Sequence, residues 1–145
     1  MTKARYRSAY AFALAAFAVA GGADAEEAAP LDAKMQCERA SEPGRVRCSV
    51  EVRTAAPRSI AWADVAILQL PDFASALKGR IGPADATARD PSGVKWAFGL
   101  VARRAGQGEA RARVRVVLCE PGASGGEPSC APRSIEVRAT LVVGG

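Results

Sequence analysis

The sequence predicts an all-β chain, an immunoglobulin-like antiparallel β-sandwich with two hairpin disulfides. Three observations carry this. Apolar and polar side chains alternate in several separate runs, the period-two signature of strands with one buried face. Turn-forming residues punctuate those runs. Four cysteines fall into two pairs of equal spacing, Cys37 with Cys48 and Cys119 with Cys130.

The chain has 145 residues, and residues 1–25 have the form of a cleavable signal peptide. Lys3, Arg5 and Arg7 make a positive start, and residues 9–20 carry no charge. That apolar stretch is shorter than the roughly 20 residues a bilayer-spanning helix needs. Ala23, Asp24 and Ala25 give a small-x-small cleavage pattern before Glu26. The expected product is exported, periplasmic or secreted, with no membrane span after signal cleavage. Residues 26–32 are expected as a short disordered lead and residues 33–145 as a single domain. Removing Lys3, Arg5, Arg7 and Asp24 lowers the net charge from +5 to +3. So modest an excess is no nucleic-acid signature.

The strands follow in order. Val46, Cys48, Val50 and Val52 alternate with Arg45, Arg47, Ser49 and Glu51. Residues 60–70 form a longer apolar run whose phase shifts between Trp62 and Val65, which predicts a bulge near Ala63 and Asp64. Asp72 is placed to cap a short helical turn carrying Phe73, Ala76 and Leu77, ended by Gly79. Trp96, Phe98 and Leu100 mark another strand. Ala112, Val114, Val116 and Leu118 alternate with Arg111, Arg113 and Arg115, and Ile135, Val137, Ala139, Leu141 and Val143 close the set. Turns are expected at Ala56-Pro57, at Asp90 to Gly93, and at Gly106-Gln107-Gly108.

Cysteines in an exported chain form disulfides. If Glu42 and Pro43 centre a turn, Cys37 lands opposite Cys48, within bridging distance across an antiparallel ladder. Centring the second hairpin on Ser124 and Gly125 sets Cys119 opposite Cys130. The same register would oppose Pro121 and Pro128, so residues 121–128 should open into a wide loop. Cys48 shares its parity with Val46 and Val50 and points inward. Cys119 shares its parity with Arg113 and Arg115 and points outward, so Cys119 and Cys130 are the candidate redox-exchange pair.

Val117, Leu118 and Cys119, with Cys130, Ala131 and Pro132, resemble a hairpin of a periplasmic thiol-disulfide reductase family. A cysteine pair sits on such a hairpin late in that family's immunoglobulin-like N-terminal domain. The resemblance implies thiol-disulfide exchange at Cys119 and Cys130.

Histidine is absent. Serine-histidine and cysteine-histidine catalysis are thereby excluded, with histidine-ligated zinc. No cofactor or metal is expected. The acidic residues Asp64, Asp72, Asp85 and Asp90 are too scattered for a calcium loop. The glycines of residues 122–126 lack the lysine of a phosphate loop. Trp62 and Trp96 are read as core rather than ligand-stacking residues. Arg45, Arg47, Arg111, Arg113 and Arg115 would form an anion-binding face if their strands were neighbours, and a solvated outer face otherwise. The leading expectation is an exported non-enzymatic domain, protein-binding or structural in the cell envelope, with an unidentified envelope or extracellular protein as partner. Thiol-disulfide exchange and anion or glycan binding are the alternatives.

Overall fold

A computed structural model describes residues 31–145. The expected signal peptide lies outside them. Nine strands follow: β1 (Asp32–Cys37), β2 (Gly44–Arg53), β3 (Ser59–Gln69), β4 (Ala74–Ala76), β5 (Arg80–Ile81), β6 (Ala88–Asp90), β7 (Gly93–Ala102), β8 (Gly106–Glu120) and β9 (Ser129–Val143). Leu31 is buried and Asp32 pairs with Arg53, so these two residues belong to the folded domain rather than to a disordered lead.

Two antiparallel sheets result. In the first, β2 lies between β1 and β7, and β4 and β6 add to the far edge of β7. The second runs β5, β3, β8, β9. Their inward side chains form one core, in which Val46, Val50, Val52, Trp96 and Leu100 meet Val65, Val114, Val116 and Leu141. Each fully buried aliphatic side chain contributes about 1.5–3 kcal/mol. The Trp96 ring is wholly buried, and its Nε1–H donates to the Gly82 carbonyl at 3.1 Å. That bond spares the core an unpaired donor.

Both cysteine pairs sit directly opposite in their ladders and are bridged, each with a Cα–Cα separation of 4.0 Å. The β8–β9 ladder ends at Glu120 and Ser129, so the loop opens at Pro121 and Pro128. A short 3-10 turn at Ala123–Gly125 crosses it. Pro132 lies inside β9 without disturbing the sheet, because β9 is an edge strand. The Val142 carbonyl accepts from Ala40 N on the free side of β9. Pro132 shares that parity, so the amide hydrogen it lacks would have faced away from β8.

Three local expectations are corrected. No helical turn forms after Asp72. The chain instead adds β4 to β7, crosses to add β5 to β3, and returns as β6. A single helical turn is costly to nucleate, whereas two sheet edges offer ready partners. Extended backbone also buries Phe73 and Ile81 while leaving Leu77 outside.

The bulge in β3 comes earlier than expected. Ile60 faces Leu118 and Trp62 faces Val117, so Ala61 is the extra residue. Arg89 Nη2 donates to its carbonyl at 2.8 Å. A second irregularity falls between Ile67 and Gln69. The turn expected at Gly106 falls before it, and Gly106 and Gly108 lie within β8. They are small because a Cβ at Gly106 would lie 2.8 Å from the Phe73 ring, and one at Gly108 would lie 2.7 Å from Pro71.

Candidate binding face on the second sheet

The bulge at Ala61 determines what the second sheet shows to solvent. It turns Ala63 and Val65 inward and puts Trp62 and Asp64 on the outer face. Trp62 is half-buried there and is no part of the core, contrary to the sequence expectation. Trp96 does lie in the core.

Register then builds rows across β3, β8 and β9. Trp62, Val117 and Pro132 form one row, and Asp64, Arg115 and Ser134 form the next. The first row is an apolar floor three strands wide. With Arg115 and Arg133 it lines a groove of about 350 Å³. The Arg115 guanidinium sits 5.9 Å from the Trp62 ring centroid, a cation–π distance.

Asp64 fixes that guanidinium. Its carboxylate has no solvent exposure although it lies on an outer face, because two arginines cover it. Arg115 Nε donates to Oδ1 at 2.8 Å and Arg115 Nη2 donates to Oδ2. Arg80 Nε, from β5, donates to Oδ2 at 2.6 Å. Burial pushes the Asp64 carboxyl up, but the bonds from Arg115 and Arg80 outweigh it and hold the group below the ordinary aspartate value. The same contact raises Arg115. A buried carboxylate is tolerable only when its lone pairs are met in this way.

The predicted arginines separate. Arg45 and Arg47 lie on β2 and face outward from the first sheet, while Arg111, Arg113 and Arg115 face outward from the second. No single face joins all five, because β2 pairs with β1 and β7 and β8 pairs with β3 and β9. On the second sheet Arg111 Nε donates to Glu136 at 2.8 Å, and Arg111 Nη1 reaches Gln69. Arg111 keeps the Glu136 carboxyl below its ordinary value. Arg113 is exposed and makes no direct ion pair among the described residues. Arg133 donates to the Pro132 carbonyl, leaving most of its guanidinium free.

The two disulfides differ in exposure. Cys48 is 1% exposed, whereas Cys130 is exposed and Cys119 half-buried. The second bridge borders the Trp62 row on the same face.

No family model matches the chain, and no curated protein matches it. Among solved structures, BslA, a bacterial hydrophobin, aligns over 77% of this chain and 92% of its own, at 8% identity and a TM-score of 0.34. A protein of unknown function from Porphyromonas gingivalis W83 aligns over 79% of this chain and 48% of its own, at 18% identity and a TM-score of 0.33. At these TM-scores neither likeness bears on what the chain does.

Sequence reasoning missed Trp62, which it read as core, Arg133, and above all Asp64. Its signal was a lone carboxylate inside an apolar run, which needs a cationic partner wherever it is buried. The bulge hid which arginine would supply it.

Proposed function

We propose that this chain is an exported, non-enzymatic recognition domain of the cell envelope, built as an immunoglobulin-like sandwich. It holds an anionic envelope component on the outer face of its second sheet. The observation that carries the reading is the Asp64–Arg115–Trp62 arrangement. A buried carboxylate is spent on immobilising one guanidinium over an aromatic ring at the surface. With Nε and Nη2 on Asp64, the remaining Nη1 is held in place beside an apolar floor, which lowers the entropy cost of holding a ligand. Arg113 and Arg133 add free donors beside it. Two disulfides fit an oxidising compartment.

Photo-crosslinking tests the reading. A photoreactive residue at Val117 should capture a defined envelope component in the native cell. Capture should fall when Arg113 and Arg115 are replaced by alanine. Equal capture from a probe at Arg45, on the opposite outer face, would overturn the assignment.

A second reading, thiol-disulfide exchange, is favoured by the exposure of Cys130. A reduction potential of the Cys119–Cys130 bridge below about −300 mV would remove it.

A further inference from the structure

We infer that the groove between Trp62, Val117 and Pro132 is a subsite for an acidic saccharide, a sugar ring bearing a carboxylate. This rests on the anionic-ligand reading above and names its ligand class.

The floor comes first. Trp62, Val117 and Pro132 stand in register on three adjacent strands. Strands lie about 4.8 Å apart, so the row offers a shallow apolar strip roughly 10 Å wide. Such a strip suits the flat carbon face of a sugar ring laid across the strands.

The rim comes second, and it is rich in donors. Arg115 and Arg133 present guanidinium N–H groups, and Ser134 adds a hydroxyl. Asp64 lies in the next row, but its oxygens are taken by Arg115 and Arg80. Glu120, beyond the groove, is held by Arg58 at 2.8 Å. A ligand seated here must therefore bring acceptors. Sugar hydroxyls and a ring carboxylate do so. An acidic peptide brings carboxylates too, but on flexible side chains without a flat carbon face, whereas a uronate ring offers the face to the floor and the carboxylate to the rim in one rigid unit. That pairing favours a saccharide over an acidic peptide.

Geometry specifies the carboxylate. Arg113 is the next outward residue along β8 from Arg115, with Ala66 and Glu136 beside it in its row. A ring laid on Val117 and Pro132, against the Trp62 that Arg115 partly covers, can direct its carboxylate toward Arg133 or toward Nη1 of Arg115, whose Nε and Nη2 are held by Asp64, and extend a second anionic unit toward Arg113. A planar guanidinium binds a carboxylate through two parallel bonds, which a neutral hydroxyl cannot match.

The test titrates the disulfide-bonded domain with three probes of similar length: an oligouronate, a neutral glucan and an oligoglutamate. The oligouronate should bind, and its affinity should fall with salt. The neutral glucan and the oligoglutamate should each bind at least about ten-fold more weakly, equivalent to about 1.4 kcal/mol. Trp62→Leu should lose oligouronate affinity by a similar factor and Trp62→Phe should keep most of it, with the buried Trp96 emission confirming the fold of each. Equal binding of oligoglutamate would overturn the saccharide assignment in favour of a general anion face. Unchanged affinity in Trp62→Leu would overturn the stacking floor. Failure of all three probes while Val117 still crosslinks would overturn this inference and leave the recognition reading standing. Failure of the crosslink as well would remove both.

Discussion

Arg115 grips Asp64 with two of its nitrogens on the outer face of a sheet, yet the carboxylate has no contact with solvent. The pair gains from low local dielectric and bears the cost of desolvating Asp64. Asp64→Asn should destabilise the domain by about 1–3 kcal/mol, the range for lost charge-assisted bonds. Arg115→Met should cost more, about 3 kcal/mol or above, because it leaves a buried carboxylate with Arg80 alone. Urea midpoints of both variants and the double variant measure the coupling. Additive losses would contradict the pairing.

The same pair predicts a pH dependence. The folded Asp64 carboxyl lies below its ordinary value, near 3.9 in model peptides. Its contribution is therefore complete above about pH 4 and is lost as pH falls through the folded value. Glu136 and Asp90 are lowered as well, by Arg111 and by Ser92 respectively, so the wild type loses stability across that acid range for several reasons. Asp64→Asn should flatten one part of this decline. Parallel acid profiles for variant and wild type would show that Asp64 does not titrate with folding.

Two staples of equal loop length should not be equal in practice. Each joins cysteines 11 positions apart, worth about 3 kcal/mol in the chain-entropy model. Removing the first with Cys37→Ala and Cys48→Ala should cost more than removing the second, because Cys48 is also packed in the core. In limiting reductant the exposed Cys119–Cys130 bridge should open first. Timed alkylation and mass spectrometry read the order, and first release of Cys48 would reverse the assignment.

Much of the fold was legible because alternation and turn position fix antiparallel register. Cys37 and Cys48, and Cys119 and Cys130, met where two turn centres put them. The break at Pro121 and Pro128 followed from the missing amide hydrogens alone. The site was less legible, because a single extra residue at Ala61 inverts the side chains of β3 from Trp62 to Ile67. With the phase misread, Trp62 looked like core and Asp64 looked like a break. The stretch around β4, β5 and β6 failed differently. Its strands are two or three residues long, too short for any period to show, and tertiary pairing decides their form.

Gly106 and Gly108 test the close approach of β8 to the segment before β4. A methyl group at either position would meet Phe73 or Pro71 well inside van der Waals contact. Gly106→Ala and Gly108→Ala should each destabilise by about 1–3 kcal/mol, the usual cost of overpacking. Gly79→Ala is the control, since nothing lies within 4 Å of its added Cβ. A shift in thermal midpoint as large in the control as in the other two would point to backbone freedom rather than to crowding.

The two tryptophans should report separately on core and binding face. Trp96 has 0% exposure and donates to the Gly82 carbonyl, whereas Trp62 is half-buried beneath Arg115. Trp62→Phe should leave a single blue-shifted emission that acrylamide scarcely quenches. Trp96→Phe should leave a red-shifted, quenchable emission that responds to anionic ligand. It should also cost stability, because the Gly82 carbonyl loses its donor and the smaller ring leaves space in a close-packed core. A quench pattern the same in both variants would mean that the bulge at Ala61 does not turn Trp62 outward, and the groove built on it would lose its floor.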